Sequence, residues 1–255
     1  MILTLLSRQL NAFGSPMLAV SLASFSGVAR SASILAVRSV LMATLLLLGL
    51  AAVSGGVSWV LFADAVGARM ARDVGLVAGV LSFSLAFVTR LRPQWSSLLA
   101  PAYGVSCGVF IAGLAYALEQ RHPGVAVQAV LVSLAVFGVM LVLYAGRWLR
   151  ATPRFRLVIY MATAAIALVY LAALLLKLSG MPLTWLGNGG FGAVLWHGFV
   201  ALTAALNLVL DFERIEHLAR RPQPAWMTWY VSIGLIVTLV WLYVSILRLL
   251  ANARR

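Results

Sequence analysis

The chain has 255 residues, of which 63% are apolar and only 10% charged, where a soluble domain carries about 45–50% and about 25%. A net charge of +13 would suggest nucleic acid in a soluble protein. Here the basic residues stand between apolar runs, where they set membrane orientation and meet anionic headgroups, so no nucleic-acid partner is expected. The single cysteine, Cys107, excludes an intrachain disulfide and a cysteine-based metal cluster.

Residues 1–38 read as a retained N-terminal arm. Arg8 and the apolar patch Met17–Ala23 are present, with no convincing cleavage site. Seven apolar runs follow, at Ser39–Phe62, Val74–Thr89, Trp95–Leu118, Gly124–Ala145, Leu157–Leu176, Gly190–Leu210 and Trp226–Leu247. A helix needs roughly 20 such residues to cross about 30 Å of hydrocarbon. The second run is short, about 24 Å as a helix, and must borrow residues from its flanks or be shielded by its neighbours. Turn formers punctuate the connections: Arg92-Pro93, His122-Pro123, Gly187-Asn188-Gly189-Gly190, and Pro222 with Pro224. Trp226, Trp229 and Tyr230 open the last run, and Trp241 and Tyr243 lie near its far end, as interfacial aromatics do. The expected fold is an all-α integral membrane protein, a bundle of seven transmembrane helices occupying 39–255.

Orientation follows from Lys and Arg. The arm and the even-numbered loops carry 12 of them and the opposite face 7, which predicts a cytoplasmic N-terminus and an exterior C-terminus. Lys177 is the one lysine among 19 basic residues. With the excess of Ala, Gly, Val and Leu, this points to a GC-rich bacterial genome.

A carboxylate at a membrane helix centre costs about 2.5–3.5 kcal/mol, so each acid near a span is informative. The six are Asp64, Asp73, Glu119, Asp211, Glu213 and Glu216. Asp211 is the deepest, closing Ala204–Leu210. Asn207 lies one turn earlier on the same face, and Arg214 is three residues later, in range to pair with it. The plain alternative is that 211–221 is an amphipathic exit from the bilayer.

Gly104-Val105-Ser106-Cys107-Gly108 matches the G-x-S-x-G nucleophile elbow in form, but that motif needs a strand–turn–helix context. The same glycines make the close-packing G-x-x-x-G pattern, repeated by Gly75 and Gly79. His197 stands at a similar depth in the sixth run and would complete a Ser–His dyad of the rhomboid protease type. Neither a rhomboid-like loop signature nor an oxyanion-hole candidate accompanies it. An interhelical packing role is the simpler reading of this histidine.

Leu99-Ala-Pro-Ala-Tyr-Gly104, Tyr116–Val132 with its Pro123-Gly-Val-Ala-Val-Gln-Ala129 segment, Ala205-Leu-Asn-Leu-Val-Leu-Asp-Phe212 with Ile215-Glu216, and Leu239–Leu250 together resemble the Bax inhibitor-1 family, in its bacterial YccA-like branch. The similarity covers about residue 39 to the end. The resemblance implies a seven-helix bundle whose last helix is central and, in some members, a pH-sensitive calcium leak closed by two proton-sharing aspartates. Asp211 matches the first aspartate. The second position falls at Thr238, and a glutamate of this branch in the third helix falls at Cys107. Both are neutral, which leaves Asp211 alone with Thr238 or Asn207 as hydrogen-bonding neighbours.

The expected function is therefore a passive cation (calcium) leak or ion-homeostasis protein of the bacterial inner membrane, not an enzyme. Its ion pathway would be built on Asp211, Asn207 and Thr238, with Arg214 as the salt-bridge partner. The alternative is a non-transporting modulator that binds a membrane-bound AAA protease through the arm. A serine intramembrane protease comes third. No cofactor is expected and no metal-ligand set is assigned. The partners are the lipid bilayer, calcium ions and, in the alternative, the protease.

Overall fold

A computed structural model describes residues 16–180, 190–219 and 224–254, and side chains within 37–64, 67, 69–180, 190–218 and 224–254. In chain order it contains α1 (Pro16–Leu61), a π-helical turn (Phe62–Val66), α2 (Gly67–Leu91), a 3-10 turn (Pro93–Trp95), α3 (Ser96–Glu119), α4 (Val125–Ala145), α5 (Pro153–Leu178), α6 (Phe191–Ala219) and α7 (Ala225–Ala253). No strand occurs among the described residues. Among the described residues seven helices are long and apolar enough to cross a membrane.

The seven expected runs correspond to these seven helices, with adjustments at their ends. The second span covers Arg69–Leu91, 23 residues, instead of starting at Val74. The short apolar run does borrow its N-terminal flank, because the helix can carry Arg69, Arg72 and Asp73 at its end, where long side chains reach the interface. The sixth likewise runs to Leu218, which sets Asp211 about two turns inside its span. Helix α1 crosses the 38/39 boundary expected for the arm. Arg8 and the expected turns at Gly187–Gly189 and Pro222 lie outside the described residues.

Local chemistry explains the helix ends. At α5, the Thr152 hydroxyl accepts from the Phe155 amide at 3.3 Å, and Pro153 follows at the first helical position. Both choices relieve the unpaired amides of a first turn. The helix closes on Lys177 and then Gly180, whose φ of 81° a side chain would resist. At α4, Gly124 (φ 80°) turns the chain. Glu119 at the end of α3 then accepts from the amides of Gly124 at 2.5 Å and Ala126 at 2.9 Å. A carboxylate from the preceding helix thus caps the positive end of α4.

The last helix is the axis of the bundle. Helix α7 packs against α1, α2, α3, α4 and α6, whereas among the described helices α5 packs chiefly against α6. Leu242 and Leu247 of α7 and Leu208 and Val209 of α6 are wholly buried in the core between them. Helices α1, α2 and α3 form a second group, held by small residues. A Cβ on Gly104 would lie 3.2 Å from the Leu47 carbonyl oxygen, and one on Gly108 would collide with Ser54 Oγ and the Ala51 oxygen. In the space so freed, Ser54 Oγ donates across the interface to the Val105 carbonyl at 3.0 Å. The G-x-x-x-G pattern works here as close packing, which in lipid replaces the missing hydrophobic drive between helices.

Candidate functional site

The apolar residues Ala204 and Leu208 lie at the four- and three-residue spacings that lead to Asp211 along one stripe of α6, and that stripe is pressed into the bundle with no measurable exposure. The stripe carries Asp211 inward with it. The residue is 8% exposed. One oxygen, Oδ1, lies 3.9 Å from Arg214 Nη1, too long for a hydrogen bond, and the arginine side chain is 44% exposed. The other, Oδ2, is buried and has no hydrogen-bond partner. An exposed guanidinium at that distance is a weak partner, and an orphaned buried carboxylate oxygen is costly to keep.

The facing wall is α7. Thr238 lies against Asp211, while its hydroxyl also donates along its own helix to the Gly234 carbonyl at 3.3 Å. A threonine has one hydroxyl proton and must choose between these acceptors. One turn earlier on α7, Gly234 stands beside the Arg214 head: a Cβ there would be in ordinary contact with Arg214 Nη1, at 3.8 Å. Asp211, Arg214 and Thr238 are thus brought together at the α6–α7 contact, Arg214 by its spacing on α6 and Thr238 at the position that the resemblance pointed to.

Asn207 is not part of that group. Its amide donates to the Thr203 carbonyl at 2.9 Å and to Thr163 Oγ1 on α5 at 3.1 Å. Both of its hydrogens are spent, so none is left for Asp211. The shared helical face expected for 207 and 211 is real, but four residues advance a 3.6-residue turn by about 40°. That offset is enough to aim Asn207 at α5.

The other acids near the α6 end are paired away from this site. Glu213 bonds Arg156 of α5 at 2.5 Å, with His217 at 3.9 Å, and Glu216 accepts from the Tyr144 hydroxyl of α4 at 2.5 Å. Sequence reading placed these two acids in a charged exit and did not find their partners. The heptad offsets show which residues share a face, but Arg156 and Tyr144 are 57 and 72 residues away.

Ser106 donates to the Tyr103 carbonyl at 3.1 Å and accepts from Ser82 of α2 at 3.0 Å. His197 is buried on α6, and α3 and α6 are not packed neighbours. The two residues of the supposed dyad therefore sit in different interfaces. Cys107, where the resemblance puts a third-helix glutamate, is buried with Leu47, Ile233 and Ile236 in the α1–α3–α7 core. Among the described residues no cluster of three or more His, Cys, Asp or Glu could hold a metal ion.

These features define a polytopic membrane protein of seven helices with one buried, incompletely paired acid where the sixth helix meets the central seventh. The chain matches the Bax inhibitor 1 like family over residues 7–255, essentially its whole length, and belongs to that family. No curated protein and no solved structure matches it.

Proposed function

We propose that this protein is a passive, non-enzymatic cation leak serving calcium or general ion homeostasis, of the YccA-like branch, in a bacterial inner membrane with its N-terminus in the cytoplasm. The single observation that carries the reading is the carboxylate of Asp211, buried between α6 and α7 with Oδ2 unpartnered. A fold keeps such a group in the membrane against its desolvation cost when it serves an ion or proton path. Thr238, which can turn its hydroxyl between Asp211 and its own helix, and Arg214, held loosely at 3.9 Å, are the neighbours that would move when an ion approaches. Asn207 contributes indirectly, by fixing α6 to α5.

The test is calcium entry into dye-loaded liposomes containing the purified protein. The parent should admit calcium above protein-free liposomes, and Asp211→Asn should change that rate by about tenfold or more, the scale of one lost charge-assisted contact. A parent indistinguishable from empty liposomes would remove the leak reading and favour the alternative, a non-transporting modulator of a membrane-bound AAA protease. That alternative rests on the arm, whose first 15 residues lie outside the described residues.

A further inference from the structure

The two helices of the glycine seam carry a second, unrelated feature. At the start of α2 and the end of α3, on the face of the bundle away from Asp211, a cavity of about 500 Å³ is lined by Arg69, Arg72 and Arg121 with a single acid, Asp73. Among the described residues none of these four makes an ion pair. The polar cavity at the opposite face is different, since there Glu213 and Glu216 already hold Arg156 and Tyr144. Three guanidiniums against one carboxylate leave an excess of positive charge at the level where an apolar span meets the headgroups.

The floor of this cavity is apolar, with Leu114 and Leu118. A second cavity of about 470 Å³ lies along the same helices, walled by Leu76, Val80 and Phe83 of α2, Phe110 of α3, and Val237 and Trp241 of α7. Arg72, Leu76, Gly79/Val80 and Phe83 continue one stripe of α2 at three- and four-residue steps. Leu118, Leu114 and Phe110 continue the facing stripe of α3 in the same way, and Arg121 stands in the turn just beyond its end. Val80 and Phe83 are 68% and 72% exposed at the rim, so the groove is open sideways to the bilayer. From Arg72 to Phe83 the stripe is about 16 Å long, the depth of hydrocarbon in one leaflet, half of about 30 Å.

A basic head followed by an apolar groove of leaflet length is the negative image of one anionic amphiphile. We infer that the α2–α3–α7 seam binds a single anionic phospholipid. Its phosphodiester lies on Arg69, Arg72 and Arg121, and one acyl chain lies in the groove. Guanidinium groups suit the phosphate oxygens because they present paired donors in a plane. Choice of lipid comes from the three arginines, and retention comes from the groove. A free phosphate would use the first and not the second.

The purified full-length protein, titrated in detergent with phosphatidylglycerol or with phosphatidylcholine of the same chains and read by native mass spectrometry, tests this. The parent should hold one phosphatidylglycerol with about tenfold or greater preference over phosphatidylcholine, the scale set by several basic groups near an anionic headgroup. R69Q/R72Q/R121Q should abolish the preference, and Arg121→Gln alone should reduce it should the triple variant fail to fold. Val80→Trp, which fills the groove with all arginines intact, should lower phosphatidylglycerol binding. Inorganic phosphate should not displace the lipid. Equal binding of the two lipids by the parent, or arginine variants that keep the preference, would overturn the inference. So would displacement by inorganic phosphate with Val80→Trp silent, which would mark a free-anion site.

Discussion

Gly75 of α2 and Gly113 of α3 meet backbone to backbone: a Cβ on Gly75 would stand 2.9 Å from the Gly113 Cα, and one on Gly113 would stand 2.5 Å from the Ala71 carbonyl oxygen. No side chain fits between the helices at this level, and neither backbone can yield without parting the pair. Gly113→Leu should therefore cost more than the about 1–3 kcal/mol typical of overpacking, and so should Gly108→Leu on the α1 side, where an added Cβ would collide with the Ala51 carbonyl oxygen, whereas Gly104→Leu, 3.2 Å from the Leu47 oxygen at its Cβ, should cost less. Gly49→Ala, where nothing lies within 4 Å of the new methyl, is the control and should melt with the parent. Thermal unfolding in detergent reads all four, and a Gly113→Leu protein as stable as the control would show the helices free to separate.

Ser106→Ala tests the same interface for chemistry. It removes a hydrogen bond to Ser82, and such bonds between membrane helices average about 0.6 kcal/mol. The variant should be nearly silent in the melt and in any hydrolytic assay. Loss of a fluorophosphonate label or of a measurable hydrolytic activity in a folded Ser106→Ala protein would revive the serine protease reading.

Glu119 should be the most consequential acid for stability. Its two oxygens cap the Gly124 and Ala126 amides, and losing a cap costs about 0.5–2 kcal/mol. Glu119→Ala should lower the melting temperature and speed amide exchange at 124–127, leaving exchange at the α5 end unchanged. Uniform exchange across both helix starts would argue that the cap is not formed.

Arg147 offers a gain instead. Its φ is 60°, a left-handed conformation at the end of α4. There the Trp148 amide reaches back to the Leu143 carbonyl at 3.0 Å and the Arg147 amide to Tyr144 at 3.0 Å. Glycine is the usual residue at this closing position. Arg147→Gly should stabilise by up to about 1 kcal/mol, the conformational penalty it removes. A lower melting temperature would mean that the arginine head contributes more than its backbone costs.

Asp211→Asn should separate stability from function. The charge it removes is poorly compensated in the fold, so the variant should melt no lower than the parent while its calcium flux changes. A variant that unfolds would show Asp211 to be structural and would leave the flux reading without its carrier.

Reporter fusions test orientation. With seven crossing helices and the basic bias on the N-terminal face, an alkaline-phosphatase fusion after Arg255 should be active and a green fluorescent one dark. The reverse pattern would place the C-terminus inside.

The sequence alone was enough for the seven spans, because lipid penalises every unpaired backbone amide and every charge in the same way wherever a helix sits. It also marked Asp211 as a residue to watch and the glycines 104, 108, 75 and 79 as packing residues, since depth and spacing are local properties, whereas Thr238 was marked only by the family resemblance. Partners were not legible. Helices such as α4 and α5 are apolar all round, so no polar face reveals which side meets protein and which meets lipid. Leu157–Leu176, the cleanest apolar run in the chain, became the most peripheral helix, with only Ile159 and Ile166 buried. Which neighbour a face meets is settled by how seven helices fill space together. That filling turned Asn207 toward Thr163, gave Glu119 to α4, buried Cys107 against Ile233 and Ile236, and left Asp211 Oδ2 without a partner. Burial and spacing are written along the chain, but pairing between helices is a property of the bundle.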